Sequence, residues 1–239
     1  MKKIILSAAA LFAFGFANAQ DLKFGAKAGV NFANLSTNYS SLDETSENTM
    51  KIGFHVGGLV EIKFSEKFAL QPELLYSAQG TTTESSSNDF GFGSSSSESK
   101  LSLGYINVPI MVKFYPIEKL FIEAGPQVGF LISAKEKSEG TTTITYTNGE
   151  GMEVTETESF DTETDMKDFY KSIDFGINFG VGYEFTENLF ANVRYNLGLS
   201  NIAEEPEIDG FDEFEEFDAF FEAFDEKNRV IQLSIGYKF

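Results

Sequence analysis

The most constraining feature of the sequence is a pair of long alternating segments near its C-terminal third. Apolar residues alternate with polar residues or glycine throughout residues 173–185 and again throughout 189–199, with a short turn between them. Alternation with a period of two is typical of a β-strand that has one apolar face. Soluble strands usually run about 5 to 6 residues, whereas a membrane-crossing strand needs about 9 to 11. The two segments therefore predict a membrane-spanning β-hairpin.

Six further segments show the same alternation, which brings the expected number of strands to eight. They cover residues 23–32, 52–64, 68–79, 101–114, 120–130 and 231–239. The connections between them are alternately long and short, as in bacterial outer-membrane barrels. The apolar faces carry too many large side chains to fit inside eight strands, so they are expected to face lipid. We predict an all-β fold, an eight-stranded antiparallel up-and-down transmembrane β-barrel.

The polar faces of these strands are expected to line the lumen as a packed, charge-paired interior with no wide pore. The charged residues on them are Lys27, Lys63, Lys113, Arg194, Lys238, Glu61, Glu73, Glu123, Asp174 and Glu184. Aromatic residues gather near the short turns, as an interfacial girdle requires. They are Phe64, Phe68, Phe114, Tyr115, Phe185, Tyr237 and Phe239.

Two kinds of irregularity are predicted within the strands. The apolar parity changes near residues 104–106, which indicates a β-bulge there. Three prolines fall inside predicted strands, namely Pro72, Pro109 and Pro126. Because proline has no backbone N–H to donate to the neighbouring strand, local bulges are expected around them.

Four long loops are predicted on one side of the barrel. Residues 34–50 form a polar loop, and the serine-rich residues 80–100 form a low-complexity loop. Residues 134–171 are expected to contain a projecting β-ribbon, because Asn148-Gly149 is the pair that a type I′ turn favours. Residues 201–228 are expected to contain a short Phe-rich helix.

The Phe-rich helix is a candidate partner-binding element. It would hold a protein partner or a hydrophobic ligand, or else fold over its own barrel mouth. Its acidic residues have no EF-hand spacing, so neither a metal site nor a cofactor site is assigned. The aromatic residues concerned are Phe211, Phe214, Phe217, Phe221 and Phe224.

The first 19 residues are predicted to be a signal peptide, and residues 20–239 one barrel domain. Two lysines, an apolar run and the small-residue pattern Ala17-Asn18-Ala19 are typical of a cleaved leader. The chain has no cysteine, which excludes disulfides and thiolate metal sites. A net charge of -19 argues against nucleic-acid binding.

Three segments resemble a known family. They are similar to segments of the PorT-like outer-membrane β-barrels of Bacteroidota. The three segments begin at Tyr105, Phe121 and Asp174 and read Y-I-N-V-P-I-M-V-K-F-Y, F-I-E-A-G-P-Q-V-G-F-L and D-F-G-I-N-F-G-V-G-Y-E. The resemblance implies an eight-stranded barrel in the outer membrane, and one branch of that family is associated with secretion. It implies no catalytic or binding residue.

The favoured function is that of a non-enzymatic outer-membrane barrel with a structural or interaction role through its surface loops. The alternatives are a secretion-associated component, a carrier of a small hydrophobic ligand, and a barrel hydrolase that uses His55, placed in the lumen near Glu61 and Arg194. The expected partners are outer-membrane lipid, an envelope protein and the assembly machinery, for which the terminal Phe239 is the predicted signal.

Overall fold

The computed structural model describes residues 21–37, 46–89, 93–204 and 225–239. These residues form nine strands and a 3₁₀ helix, Lys167–Phe169. Among them there is no helix with the length and hydrophobicity of a membrane span. The strands are β1 (Asp21–Thr37), β2 (Ser46–Lys63), β3 (Phe68–Asp89), β4 (Gly93–Ile117), β5 (Leu120–Thr147), β6 (Glu153–Asp165), β7 (Ile173–Glu184), β8 (Leu189–Gly198) and β9 (Glu226–Lys238).

Eight of the strands close into an antiparallel ring, which confirms the predicted barrel. The order around it is β1, β2, β3, β4, β5, β7, β8 and β9, and β9 pairs back with β1. Strand β6 lies outside the ring and pairs with the far half of β5, from Lys135↔Asp165 to Thr147↔Glu153.

The two faces of the wall are as predicted. Phe179 on β7 is 49% exposed, whereas the preceding residue, Asn178, is fully buried. The apolar side chains point outward around the ring, where they suit lipid, and the polar ones point inward. Six of the seven girdle aromatics lie on the outside, but Tyr115 is only 4% exposed and points into the lumen, so its assignment to the girdle is wrong.

The predicted bulges at the prolines are wrong. Pro72 pairs with Ile110, Pro109 with Gln127 and Pro126 with Ile177, and the register is the same on both sides of each pair. Each proline lacks the N–H group that would donate a hydrogen bond to the neighbouring strand. The backbone hydrogen bonds before and after it keep the two strands in the same register, so no extra residue is inserted.

The β-bulge predicted near residues 104–106 is confirmed in position, but its extra residue belongs to β5 and not to β4. Strands β3 and β4 pair without a shift past Tyr105, and the extra residue lies opposite, on β5, where Gly104 pairs with Ser133 but Tyr105 pairs with Leu131. The apolar parity changes because Leu101, Leu103 and Tyr105 point into the lumen, which is itself apolar at this level.

The largest difference from prediction lies on the long-loop side of the barrel. Residues 80–100, predicted as a loop, mostly belong to β3 and β4, which pair as far as Asp89↔Gly93. Strands β3, β4, β5 and β6 continue beyond the barrel as one sheet, formed by residues 81–89, 93–102, 133–147 and 153–165, which we call the blade. Strands β1 and β2 also extend into the predicted 34–50 loop.

The predicted β-ribbon is present as β5 and β6, with a different turn. The Gly151 amide donates to the Asn148 carbonyl at 3.0 Å, and the Asn148 amide donates to the Met152 carbonyl at 2.8 Å. Gly151 has a φ of +78°, and Gly149 does not have a positive φ. This is a type I turn closed by a left-handed glycine, so the predicted type I′ turn is wrong.

Three irregularities mark the level at which the barrel becomes the blade. Gly80 on β3 has a φ of +132°, and a Cβ there would lie 2.0 Å from the Leu101 carbonyl oxygen. The register of β2 with β3 shifts between Met50 and His55, and that of β4 with β5 shifts beside Ile132. Such irregularities bend and twist strands at barrel rims.

The predicted signal peptide (1–19) and the Phe-rich helix with Phe211, Phe214, Phe217, Phe221 and Phe224 lie outside the described residues.

Candidate functional site

The centre of the lumen is an ionic network around Glu73. This carboxylate accepts hydrogen bonds from Lys27 at 2.9 Å and from both terminal nitrogens of Arg194 at 2.8 and 3.0 Å. Arg194 also donates through Nε to Glu123 at 3.0 Å. All four side chains are fully buried. The pairs extend across the lumen from β1 and β3 to β5 and β8, so they tie opposite walls together.

A second network lies nearer the short turns. Glu61 accepts from Lys113 at 3.0 Å and from Lys238 at 2.7 Å, and Lys238 also donates to Glu184 at 2.7 Å. Tyr115 donates its hydroxyl to Glu61 and Glu184, which is why it points inward. Lys63, predicted for the lumen, stays partly exposed and lies 3.9 Å from Glu61.

Apolar clusters lie in the lumen on both sides of the network around Glu73. At the short-turn end the cluster comprises Leu59, Ala69, Tyr115, Phe121 and Phe190. At the other end Ile202, which follows β8, is completely buried. It packs with Leu35, Leu101, Leu103, Tyr105, Leu131 and Ala134. The predicted packed, charge-paired lumen is therefore confirmed for the described residues.

His55 lies in the lumen, as predicted, but with different partners. Its Nδ1 is 2.7 Å from Asn31 Oδ1 and its Nε2 is 2.9 Å from Ser234 Oγ. Glu61, expected nearby, instead bonds the two lysines described above. The order Ser-His-Asn is one that hydrolases use, but both His55 and Ser234 are buried between the two apolar clusters. A nucleophile must be reached by its substrate, and this serine is enclosed.

The blade differs from the barrel because water reaches both of its faces. Hydroxyl side chains face each other across its strands, with Thr143 and Thr157 3.2 Å apart and Thr145 and Thr155 3.1 Å apart. Strand β6 is exposed along nearly its whole length. Cross-strand hydroxyl pairs of this kind stabilise a sheet without an apolar core.

A row of carboxylates crosses the blade. Glu84 pairs with Glu98, Glu98 with Glu139, and Glu139 with Asp161, one residue on each strand. Lys137 bonds Glu139 and lies 3.5 Å from Asp161, and Lys100 bonds Glu98. The hydrogen bond from Lys137 lowers the pKa of Glu139, and the bond to Glu98 raises the pKa of Lys100.

A shallow cavity of about 740 Å³ lies at the same level of the blade. Beside the carboxylate row it is bordered by hydroxyl side chains and one aromatic ring. A Cβ on Gly140 would come within 2.6 Å of the Phe160 ring, so the ring leans over the space that the glycine leaves. The bordering residues outside the carboxylate row are Ser85, Ser86, Ser96, Ser97, Gly140, Thr141, Ser159 and Phe160.

Phe239 lies at the short-turn end of the seam between the first and last strands. Its amide donates to the Phe24 carbonyl at 2.8 Å, and its ring is 71% exposed on the outer face. The ring is therefore available to an assembly factor. Its role as an assembly signal stays a prediction.

The sequence matches the family model of the outer membrane protein beta-barrel domain over residues 17–204. The chain belongs to this family. Family membership and the closed ring of outward-facing apolar strands place it in the outer membrane, as predicted. No curated protein has a matching sequence.

Several solved structures are similar to this barrel at low identity. Ail, the attachment invasion locus protein of Yersinia pestis, is 11% identical over 92% of this chain and 100% of that chain, with a TM-score of 0.38. Neisserial surface protein A is 15% identical over 92% and 100%, with a TM-score of 0.41. OprG from Pseudomonas aeruginosa is 11% identical over 91% and 95%, with a TM-score of 0.38.

Proposed function

We propose that this chain is a non-enzymatic outer-membrane interaction protein that presents the blade at the cell surface. The observation that carries the proposal is the length of the blade strands. Strand β5 has 28 residues, whereas about 9 to 11 suffice to cross a bilayer. At about 3.3 Å per residue, such a strand extends far beyond the lipid.

The blade is a costly structure to maintain unless it has a use. Each ordered residue loses about 1 to 2 kcal/mol of backbone entropy, and a sheet wetted on both faces recovers little of this by apolar burial. Short turns face the periplasm in barrels of this type, so the blade faces outward. An ordered, polar, surface-displayed sheet suits contact with another macromolecule.

The filled lumen favours this role over the carrier and the hydrolase. The described lumen side chains bond one another between two apolar clusters, which leaves a transported molecule no continuous path through them. Ser234 and His55 lie inside the same enclosure. The secretion-associated role implied by the PorT-like resemblance is one form that an interaction function would take.

The test is to remove the blade and keep the barrel. Residues 83–99 and 139–161 are each replaced by a two-residue Asn-Gly turn, which leaves the paired residues Thr82 and Lys100, and Ser138 and Thr162, on either side of the new turns. A photo-crosslinking amino acid is placed on the barrel rim of both versions. Crosslinked partners should appear with the full chain in cells and disappear with the trimmed chain. The trimmed chain should still migrate faster in SDS gels before boiling than after it, because its barrel is intact.

A second variant that lacks only residues 205–224 is the matched control for the other acidic segment of the sequence. Its crosslinks should persist if the blade is the binding surface. Crosslinks that survive trimming of the blade and vanish with residues 205–224 would overturn the proposal and favour the Phe-rich segment predicted from sequence.

A further inference from the structure

Strand β6 is an unpaired edge of the blade. Among the described residues it pairs only with β5, and no strand lies on its other side. It is 13 residues long and exposed at almost every position. Long exposed edges are templates for pairing with another chain, and proteins normally shorten or cover them.

The hydrogen-bond pattern identifies which amides face away from β5. Met166 donates to the Ala134 carbonyl at 2.9 Å and Asn148 donates to the Met152 carbonyl at 2.8 Å, at the two ends of one unbroken register. Bonded and outward positions alternate in an antiparallel pair. The even-numbered residues of β6 therefore bond β5, and the odd-numbered ones, with Ser159 at the centre, present their N–H and C=O groups to the free edge.

The charge of β6 selects the partner that this edge would accept. The strand has six carboxylates and no lysine or arginine. Lys135 pairs with Glu163, and Lys137 lies beside Asp161, so the half nearest the barrel is compensated. Glu156 and Glu158, nearer the tip, point to the same face, and no described lysine or arginine is paired with either of them. An added strand with lysine or arginine at alternate positions would place one cation opposite Glu156 and another opposite Glu158.

The same charge argues against occupants from this chain. A second copy of β6 would bring carboxylates against carboxylates, which is unfavourable directly across a strand pair. Residues 205–224 contain nine Asp or Glu and no Lys or Arg, so they are repelled as well.

We propose that the free edge of β6 binds an extended, basic segment of another protein by adding it as a further strand of the blade. The odd-numbered amides of β6 supply main-chain hydrogen bonds, and Glu156 and Glu158 select lysine or arginine at alternate positions. This mode of recognition is strand addition. The inference rests on the proposed function, since it names the partner class of the blade.

The probe is a ten-residue peptide of alternating lysine and threonine, titrated onto the full-length protein in detergent micelles. Its control is the same peptide with alternate amides N-methylated, which keeps the charge and removes the donors along one edge. We expect the unmodified peptide to bind, and N-methylation to weaken binding about tenfold or more because several bonds are lost together.

Matched protein variants separate hydrogen bonding from charge. Ser159→Pro removes an outward amide without touching the bonds to β5, and should weaken the peptide about tenfold. Ser159→Ala keeps the amide and should stay within about twofold. Glu156→Gln with Glu158→Gln should weaken binding and reduce its dependence on salt.

Equal affinity for the plain and N-methylated peptides would overturn strand addition, as would wild-type affinity in Ser159→Pro. Either result would be combined with the crosslinking experiment on the trimmed chain. If trimming the blade removes the crosslinks in cells, the blade is a binding surface and only strand addition fails. If trimming also leaves the crosslinks intact, the proposed function fails with it.

Discussion

Glu73 holds two buried cations at the centre of the lumen, so its neutralisation tests the ionic network directly. In Glu73→Gln, Arg194 keeps Glu123 as a buried carboxylate partner, whereas Lys27 loses the carboxylate with which it is paired. The volume and shape of the side chain hardly change. The variant therefore isolates the charge.

Removing one member of a buried ion pair costs about 3 to 5 kcal/mol, because the other charge stays buried and uncompensated. A second substitution, Lys27→Met, removes the surplus cation and leaves Arg194 paired with Glu123. The double variant should therefore be more stable than Glu73→Gln alone, by about 1 to 3 kcal/mol.

The assay is urea unfolding in lipid vesicles, followed by the gel-mobility difference between folded and unfolded protein. The chain has no tryptophan, so tryptophan fluorescence cannot report on unfolding. The single variant Lys27→Met is measured as well, which completes a double-mutant cycle for Glu73 and Lys27. If the two single effects add to within about 0.5 kcal/mol in the double variant, the residues are not coupled and the reasoning is refuted.

Three further predictions concern the wall, the last residue and the rim. Phe179→Arg should lower the free energy of unfolding by about 2 to 4 kcal/mol at mid-membrane, but Phe185→Arg by only about 0 to 1 kcal/mol at the interface. Equal losses in vesicle unfolding would show that the membrane depth of these two residues is misassigned. Deletion of Phe239 should lower assembled protein in cells far more than refolding into vesicles, and an equal fall would reduce its role to packing. Gly80→Ala should destabilise the blade, because the added Cβ would clash with the Leu101 carbonyl oxygen. Proteolysis of β3 and β4 should be faster while the barrel stays intact, and a proteolysis rate equal to that of the wild type would contradict this.

The barrel could be predicted from the sequence because its two sides have different solvents. Lipid outside and charge pairs inside impose a period of two, which residues 173–185 and 189–199 show. The same alternation predicts that Glu73 and Arg194 lie in the lumen, where the structure has them. It failed at Leu101 and Leu103, because the lumen becomes apolar near Ile202 and inward residues there resemble lipid-facing ones.

The blade could not be predicted because both of its faces are wet. Residues 94–97 are four serines with low strand propensity and no hydropathy alternation. They form a strand because they pair with residues of β5 that are far away in the sequence, which are Gly140, Thr141, Thr142 and Thr143. The matching runs of hydroxyl residues were the available signal, but without a hydrophobic face their register is only weakly specified.

The central claim is that a closed outer-membrane barrel carries the blade on the cell surface. Because the chain has no cysteine, single substitutions can report which side each end of the barrel faces. Glu150→Cys lies in the turn of the blade between β5 and β6, and Glu118→Cys lies in the short turn between β4 and β5. With a membrane-impermeant maleimide on intact cells, Glu150→Cys should be labelled and Glu118→Cys only after the outer membrane is permeabilised. Labelling of Glu118→Cys but not of Glu150→Cys on intact cells would contradict the account.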